Sequence, residues 1–358
     1  MGASYSLDKH GNFKQDLYDS YLSSTDGRLA SLKGKVVAIT GTTTGSLGYY
    51  VAKTAVAKEA KLVLLLNRPS DRSIQTEADV KEGALEGTTV QTLPIDLLSL
   101  DSVKKAAVEL NEISKANGGL DVLCCNAGIM ARNDDRSDDG FDVQMQANQL
   151  SHYLLTRLCM DSLEQAAASH GEARAVFHSS SARYGKELEA RFFEQCEVGT
   201  LGGNDASDFG QFFLGKEGSW LRYHQTKLAN SAFAMALHDE LEGKGSKVKA
   251  LACDPGWAHS NLQVSAVSTG TMSNFLAKLG SSIAQSAPDG SLPCSLACFS
   301  PEANSGDFYM PSKMGGMNGE PIRSILGGEP VKTNTEKETT SAKNKTIVMD
   351  ACKKIFNM

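Results

Sequence analysis

The chain has 358 residues, of which 41% are hydrophobic and 22% charged, a composition typical of globular proteins rather than disordered or fibrous ones. Its formal net charge of −6 comes from interspersed acidic and basic residues, which argues against nucleic acid as a partner. No uninterrupted apolar stretch reaches the roughly 18 to 20 residues that a membrane-spanning helix needs. Length alone allows one large domain or two small ones.

The N-terminal 33 residues are polar and lack a clear period, so we expect an arm with at most one helical turn. Its start, MGASYS, places Gly2 and Ser6 where a myristoylation signal uses them. The alternative is a plain arm, and a single myristoyl chain gives only marginal membrane binding. The expected location is therefore cytoplasmic, with a peripheral membrane contact through Gly2 left open.

Short apolar runs then alternate with longer segments of helical period. The predicted strands are residues 36–40, 61–66, 89–93, 121–125, 174–178 and 248–253. The predicted helices are residues 48–59, 101–116, 141–168 and 219–243. Continuous apolar strands separated by helices indicate a parallel sheet covered on both faces. We therefore predict an α/β fold, a doubly wound Rossmann-type sheet with helices on both faces, as a single domain over residues 34–326.

The C-terminal segment, residues 327–358, shows no domain of its own. Residues 327–345 are polar and resemble a linker. Ile347, Val348, Ala351 and Cys352 then recur at helical spacing, as do Ile355 and Phe356. We predict a final helix that packs back on the domain.

The eight cysteines lie at irregular spacings. Cys124 and Cys125 are adjacent in an apolar run, and Cys294 and Cys298 are close together. This spacing fits no metal-binding pattern, so no metal is expected. Without a secretory signal, we interpret these cysteines as reduced, mostly buried thiols.

A glycine-rich turn, TGTTTGSLG at residues 40–48, lies between the first strand and the first helix. Glycines there let the chain turn tightly and let backbone N–H groups approach a pyrophosphate, which the helix N-terminus also favours. The turn carries one residue more than the expected TGxxxGxG, and the alternative is a degenerate turn without a ligand. The turn residues predicted to contact a dinucleotide are Gly41, Thr43, Gly45, Leu47 and Gly48.

The end of the second strand bears on which nicotinamide cofactor is bound. An acidic residue there would pair with a free ribose hydroxyl, but this chain has Asn67 and Arg68. The planar guanidinium of Arg68 suits a phosphate, which favours NADP(H) over NAD(H), although Arg68 is alternatively a solvated surface charge. Asp96, just after the third strand, is predicted to touch the adenine side of the cofactor or to cap the following helix.

Four tyrosines have a lysine four residues later, so this spacing alone identifies no site. The pairs are Tyr5 and Lys9, Tyr49 and Lys53, Tyr223 and Lys227, and Tyr309 and Lys313. Tyr5 lies in the arm, Tyr49 lies inside the first helix, and Tyr309 precedes Pro311 in an apparently irregular stretch. Only Tyr223 opens a long helix, on which Lys227 shares its face and can stabilise a phenolate.

Other polar residues follow strands in the order that such a site needs. Ser180 follows the fifth strand, at the carboxyl edge where an open α/β sheet binds its ligand, and is the candidate for orienting a carbonyl. Asn126, Ala127 and Gly128 follow the fourth strand, where small residues would let a cofactor pass; the alternative is a plain turn. Asn148 is a candidate for holding its helix and a water beside Lys227.

Taken together, TGxxxG, NAG, a serine, YxxxK and Asp254-Pro255-Gly256 resemble the short-chain dehydrogenase/reductase family over residues 33–313. Residues 139–156 and 223–230 are most similar to its retinol-dehydrogenase and WW-domain-oxidoreductase branch. The resemblance implies a catalytic tetrad of Asn148, Ser180, Tyr223 and Lys227, with Tyr223 passing the proton while the nicotinamide passes hydride. It also implies that Pro255, Gly256 and Ser260 line the nicotinamide. Asp254 departs from the histidine that this branch often has.

The expected substrate is a lipophilic aldehyde or ketone or the matching alcohol. Aromatic and aliphatic residues in two stretches suggest the lid and wall of a substrate pocket. Alternatively, they only pack the segment between Ser180 and Tyr223 onto the domain. They are Phe192, Phe193, Phe209, Phe212, Phe213 and Trp220, then Met272, Phe275, Leu276, Leu279 and Ile283. A non-redox member of the same fold and a catalytically silent cofactor-sensing or scaffold protein are the alternatives. Family members often form homo-oligomers through helices at 141–168 and 219–243.

Overall fold

The computed structural model describes residues 16–201, 218–258, 284–312, 328–333 and 340–358. These residues form one sheet of eight strands in the order β3-β2-β1-β4-β5-β6-β7-β8. The strands are β1 Val36–Thr40, β2 Leu62–Asn67, β3 Thr89–Pro94, β4 Val122–Cys125, β5 Ala173–His178, β6 Val248–Cys253, β7 Phe308–Pro311 and β8 Pro330–Thr333. Neighbouring strands from β3 to β7 are parallel, and β8 is antiparallel to β7. The doubly wound parallel fold is thereby confirmed.

Helices lie on both faces of this sheet. They are α1 Asp16–Ser23, α2 Leu47–Ala57, α3 Asp71–Glu82, α4 Leu100–Ala116, α5 Val143–Met145, α6 Ser151–Leu158, α7 Met160–His170, α8 Ser219–Gly243, α9 Ala287–Phe299 and α10 Ala342–Phe356. The single helix predicted over 141–168 is wrong in detail, because a turn at Cys159 separates α6 from α7 and a π-helical turn, Gln146–Leu150, joins α5 to α6. Such turns are rare and recur at functional sites. Asn148 lies at the centre of this one.

All six predicted strands are confirmed, whereas β7 and β8 were missed. The interpretation of Tyr309 as part of an irregular stretch is wrong, since this residue lies in β7. Part of the predicted linker, Pro330–Thr333, is the edge strand β8. Both strands have four residues with a proline at one end, Pro311 at the end of β7 and Pro330 at the start of the edge strand β8, and proline removes the sequence signal of a strand.

Alternating side chains of the strands divide the core into two apolar layers. On β4, for example, Cys125 belongs to the layer under α4 and α8, and Cys124 to the layer under α2 and α9. This alternation follows from the two-residue period of a strand. Because both layers are closed, the ligand-accessible part of the sheet is the carboxyl edge of its strands, where the order reverses between β1 and β4.

The N-terminal segment is more ordered than predicted, because α1 has eight residues rather than at most one turn. Tyr18 and Tyr21 are each only 4% exposed. The Tyr18 hydroxyl donates to the Tyr50 carbonyl on α2 (3.0 Å), and its backbone N–H donates to Asp289 Oδ1 on α9 (2.9 Å). The aromatic side chains explain the docking, since they bury apolar area while their hydroxyls keep partners. Gly2 and Ser6 lie outside the described residues.

The predicted C-terminal helix is confirmed as α10. It packs across α6 and α8, where Val348 and Cys352 are fully buried and Phe356 stacks on Tyr153 at 5.7 Å between ring centroids. Lys345 also pairs with Asp239 of α8 (2.8 Å). The helix therefore covers part of the surface through which family members were expected to associate. Within the described ranges, we find no helix both long and apolar enough to cross a membrane.

Candidate active site

Tyr223 and Lys227 lie one turn apart near the start of α8 and face the carboxyl edge of the sheet. The Lys227 ammonium is 5.7 Å from the centroid of the Tyr223 ring and donates to the carbonyl of His178 at the end of β5 (3.0 Å). Tyr223 is 5% exposed and Lys227 3%. Their shared face confirms the geometry that the four-residue spacing predicted.

Burial opposes the charged form of both side chains. It raises the pKa of Tyr223 above its ordinary value, while a side-chain hydrogen bond with Ser180 acts in the opposite direction. It also lowers the pKa of Lys227 to about 8. A charged Lys227 ammonium near the ring would stabilise a Tyr223 phenolate, because opposite charges favour each other's ionised form.

Ser180 begins a short 3-10 turn directly after β5. Its hydroxyl oxygen accepts from the backbone N–H of Ala182 (3.2 Å) and also takes part in the hydrogen bond with Tyr223. The preceding Ser179 donates to the carbonyl of Lys227 (2.7 Å). The end of β5 is thus bonded to α8 at Tyr223 and again one turn later at Lys227, which holds the two hydroxyls close together.

Asn148 uses its side chain to hold the segment after Gly128. Its Oδ1 accepts from the Ile129 N–H (2.8 Å), and its Nδ2 donates to the Ile129 carbonyl and to Thr226 Oγ1 (2.9 Å each). A Cβ added at Gly128 would stand 3.1 Å from Asn148 Oδ1 and 3.5 Å from Lys227 Nζ. Asn148 is therefore a brace between the NAG segment and α8, and its predicted role on a water stays a prediction.

A chain of buried hydrogen bonds links Asn148 to the end of β1, and the sequence analysis missed it. Thr40 Oγ1 accepts from the backbone N–H groups of Asn126 (3.0 Å) and Ala127 (2.9 Å) and lies 3.0 Å from His152 Nε2. His152 Nδ1 lies 3.0 Å from the Asn148 carbonyl, which only accepts, so Nδ1 carries the hydrogen. Burial lowers the pKa of His152 to about 4, which keeps the ring neutral. Its position four residues after Asn148 was the available signal.

The glycine turn has the backbone that a dinucleotide needs. Gly41 and Gly45 have positive φ of 70° and 81°. A Cβ at Gly41 would stand 2.8 Å from that of Ala127, and one at Gly48 would stand 2.4 Å from Asn126 Nδ2, so neither position accommodates a side chain. Gly48 therefore packs against the NAG segment despite the extra residue in the turn.

The same turn is open where a phosphate would approach. Nothing lies within 4 Å of a Cβ built on Gly45. Helix α2 begins just after it, capped by Ser46, and has no acidic residue in its first turn. Thr43 and Leu47 lie on either side of this opening. A helix N-terminus beside bare backbone is an anion-binding arrangement, so the residues present fit a dinucleotide.

The end of β2 carries a neutral pair and an exposed cation. Asn67 is buried, with Oδ1 accepting from the Thr42 N–H (2.8 Å) and Nδ2 donating to Thr42 Oγ1 (2.7 Å). Arg68 is exposed. Asp96 Oδ1 accepts from the Leu98 N–H (2.9 Å), but Ser99 caps α4, so the alternative of Asp96 as the helix cap is wrong.

The loop after β6 is tied to the serine loop by a buried ion pair, Arg183 with Asp254. Arg183 Nη1 lies 2.9 Å from Asp254 Oδ2, and these side chains are 1% and 0% exposed. The same nitrogen donates to the Ser180 carbonyl (3.2 Å), while the other carboxylate oxygen accepts from the Gly256 N–H (2.8 Å). The aspartate that departs from the family pattern thus connects Ser180 to the Pro255-Gly256 loop. Ser260 lies outside the described residues.

Few of the expected substrate-contacting residues are described. Phe192 and Phe193 are each 1% exposed and belong to the main apolar core, which supports the packing alternative for these two. Trp220 stands edge-on to Tyr223, with ring centroids 6.0 Å apart. The remaining residues of that set, from Phe209 to Phe213 and from Met272 to Ile283, lie outside the described residues.

The fold and this edge of the sheet define a dinucleotide-binding α/β protein, and comparison with known sequences gives its family. The family model for short chain dehydrogenase matches residues 35–188. The short-chain dehydrogenase/reductase drtF of Aspergillus calidoustus is 31% identical over 300 residues, covering 80% of this chain and 87% of that one. The chain therefore belongs to the short-chain dehydrogenase/reductase family of oxidoreductases.

Other relatives match over a smaller part of their length. The short-chain dehydrogenase/reductase dpchH of Colletotrichum higginsianum is 29% identical over 64% of this chain, which spans 55% of that relative. Retinol dehydrogenase 13 of Homo sapiens is also 29% identical, over 65% of this chain and 62% of its own. The resemblance to the retinol-dehydrogenase branch is thereby confirmed at the level of sequence similarity.

Solved structures agree on the fold. An uncharacterized protein from Mycobacterium Paratuberculosis superposes with a TM-score of 0.62 at 23% identity, covering 92% of this chain and 96% of that one. A 3-ketoacyl-(acyl-carrier-protein) reductase from Brucella melitensis, solved with NADH, superposes with a TM-score of 0.54 at 21% identity, covering 76% and 93%. At these identities the likeness supports the architecture alone.

Proposed function

We propose that the chain is an NADP(H)-dependent oxidoreductase that interconverts a lipophilic, retinoid-like aldehyde or ketone and its alcohol. The observation that carries this proposal is the convergence of Ser180, Tyr223 and Lys227 at the carboxyl edge of the sheet, beside the glycine turn. Two segments that are distant in sequence, the turn after β5 and the start of α8, bring a second hydroxyl together with a proton donor and an ammonium in a buried place.

The proposed roles follow from this chemistry. The nicotinamide, when bound, supplies hydride to the carbonyl carbon or takes it from the alcohol. Tyr223 gives its hydroxyl proton to the substrate oxygen during reduction and takes it back during oxidation. Lys227 stabilises the phenolate that remains, and Ser180 donates to the substrate oxygen to orient it. Asn148 acts through the backbone at Ile129, which keeps the cofactor side of the site in register with α8.

A preference for NADP(H) is supported by the end of β2. An acidic side chain at this position would repel a 2′-phosphate. This chain has the neutral Asn67 there, and its amide is already hydrogen-bonded to Thr42. Exposed Arg68 follows it and offers a planar fork to a phosphate. The residues proposed to hold the cofactor are Gly41, Thr43, Gly45, Leu47, Gly48, Arg68, Asp96, Asn126, Ala127, Gly128, Tyr223, Lys227, Pro255, Gly256 and Ser260.

A lipophilic substrate is supported by two observations. Trp220 places an aromatic ring edge-on to the ring of Tyr223, the proposed proton donor. In addition, relatives at 28% to 30% identity are named polyprenol dehydrogenase and retinol dehydrogenase 13, after long apolar alcohols. An apolar wall next to the proton donor would select such substrates by burial of apolar area.

The test is a carbonyl panel with NADPH as the reductant. We expect cofactor oxidation with long-chain and retinoid aldehydes at a kcat/KM well above that for a small polar ketone. Equal values would contradict the apolar site. Absence of turnover across the panel, with NADPH still bound, would favour a cofactor-sensing or scaffold protein. Conversion of a substrate without net cofactor consumption would instead favour an epimerase or dehydratase.

A further inference from the structure

Four buried cysteines from three separate elements meet beneath the carboxyl edge of the sheet. They are Cys124 on β4, Cys253 at the end of β6, and Cys294 and Cys298 on α9, each at most 1% exposed. We call these four residues the thiol cluster. Cys124 and Cys294 are 170 positions apart, which is why their spacing carried no metal-binding signal in the sequence.

The sulfur atoms are spaced as metal ligands are. Cys124 Sγ and Cys294 Sγ are 3.4 Å apart. The ligand atoms of Cys124, Cys294 and Cys298 all lie within 4.8 Å of one another, and so do those of His178, Cys253 and Cys294. Zinc–sulfur bonds of about 2.3 Å in a tetrahedron place neighbouring sulfurs about 3.8 Å apart. Three of the four sulfur atoms therefore already have about this spacing, and Cys294 links them to Cys253.

Rigid elements hold these side chains. Cys294 and Cys298 are four residues apart on α9, so that their thiols share one face of the helix. Cys124 and Cys253 lie on strands that flank β5, and both side chains face the layer that contains α9. Ligands on helices and strands keep their positions better than ligands on loops, which favours a preformed metal site.

One further side chain with a possible ligand atom adjoins the thiol cluster, the imidazole of His178. His178 Nδ1 lies 2.9 Å from Asn126 Oδ1, and this oxygen is identified by the amide nitrogen donating to the carbonyls of Thr40 and Gly41. His178 Nδ1 therefore carries a hydrogen and is engaged with Asn126, so we take the four sulfur atoms as the ligand set.

We propose that the thiol cluster is a structural site for a thiophilic d10 cation of the Zn²⁺ class, bound by Cys124, Cys294, Cys298 and Cys253. Four thiolates close the coordination sphere, which defines a structural rather than a catalytic centre. The ion enters as the chain folds, because the cluster is shut off from solvent. It fastens α9 to the strands that lead into Asn126 and Asp254. This site stands on the thiols and is independent of the proposed activity.

The test measures metal content in the full chain, produced in medium supplemented with Zn²⁺ and, separately, with Co²⁺. Native mass spectrometry and elemental analysis are expected to give about one ion per chain. The Co²⁺ form is expected to show thiolate-to-metal charge-transfer absorption. An organomercurial reagent that modifies the thiols should release the ion in proportion. Folding of each sample is checked by circular dichroism.

Cysteine variants separate a metal site from a merely apolar cluster. Cys294→Ser is expected to lose the ion and to lower the Tm, and Cys124→Ser and Cys298→Ser to lose it if Cys294→Ser does not fold. Cys125→Ser is the matched control, because Cys125 is equally buried but faces the opposite layer, and it should keep the ion.

Three results would overturn the proposal. The first is a folded wild-type chain without metal from both media. The second is metal content that Cys294→Ser leaves unchanged. The third is a Cys124–Cys294 disulfide in the chain as isolated, detected by peptide mass under non-reducing conditions.

Discussion

The two halves of the sheet edge are built differently. In the nucleotide half, from β1 to β3, polar side chains have partners nearby in the turn and the adjoining helix, as Asn67 has in Thr42. In the catalytic half, from β4 to β6, buried side chains bridge distant segments. Asn148 reaches Thr226, 78 positions away, and Arg183 reaches Asp254, 71 positions away. Apart from Thr40, which reaches His152 112 positions away, the contacts of the first half therefore span shorter stretches of chain than those of the second.

This difference predicts different costs of substitution. A buried polar group that loses its partner carries a desolvation penalty, whereas an exposed one is hydrated by water instead. Changes in the catalytic half should therefore affect turnover or folding strongly. Changes in the nucleotide half should affect cofactor affinity moderately and leave folding intact.

The largest effect is expected for Tyr223→Phe. Removing the hydroxyl removes the proposed general acid while the ring keeps its packing against Trp220, so kcat should fall by about 10²- to 10⁴-fold with little change in stability. Steady-state kinetics with NADPH and an active aldehyde measure it. Tyr49→Phe is the matched control, because Tyr49 also has a lysine four residues on, with Lys53 Nζ 5.5 Å from its ring centroid. Equal turnover for both variants would remove Tyr223 from the mechanism.

The next effect is expected for Arg183→Met. It leaves the Asp254 carboxylate buried without its countercharge, a change that costs about 3 to 5 kcal/mol of unfolding free energy. Denaturant unfolding measures it, and adding Asp254→Asn should recover part of the loss because no unpaired charge remains. Arg28→Met breaks the exposed pair with Asp26 and should cost less than about 1 kcal/mol. A similar cost for the two arginine variants would contradict the expected difference between a buried and an exposed ion pair.

A smaller effect is the pH dependence of stability that Lys227 causes. Burial lowers the pKa of Lys227 from 10.5 to about 8 in the folded chain. Between these two pH values the unfolded chain binds more protons than the folded one. The unfolding free energy therefore increases as the pH rises through this interval, by on the order of 1 to 3 kcal/mol. Below about pH 8 both states are protonated and the folded state keeps the full desolvation cost.

Lys227→Met should lack this gain, whereas Lys81→Met, at an exposed lysine of α3, should keep it. Unfolding free energies at pH 7.5 and 9.5 measure the difference between each variant and the wild type. A wild-type advantage that stays constant or declines over this interval would contradict the expected titration of Lys227.

The sequence predicted what local patterns encode. The six strands, the glycine turn and the placement of Tyr223 with Lys227 followed from apolar periodicity and residue order. It did not predict β7 or β8, because each of these four-residue strands includes a proline and neither is a continuous apolar β-branched run like β4. Nor did it predict the Arg183–Asp254 pair or the thiol cluster, because those contacts exist only once distant elements are packed. Asp254 was noticed as a departure, but its partner needed the fold.

The smallest of these effects, and the one that addresses the nucleotide half directly, is expected for Arg68→Ala. A charge-assisted contact with a 2′-phosphate is worth about 1.5 kcal/mol at an exposed position, so the Kd for NADPH should rise about tenfold while that for NADH stays unchanged. Fluorescence titration of both cofactors measures it, and Arg72→Ala, at an exposed arginine in the first turn of α3, is the matched control. If Arg68→Ala raised the Kd for NADPH and for NADH equally, Arg68 would not recognise the 2′-phosphate. If neither Kd changed, the preference for NADP(H) would have to come from elsewhere, since Asn67 only fails to repel the phosphate.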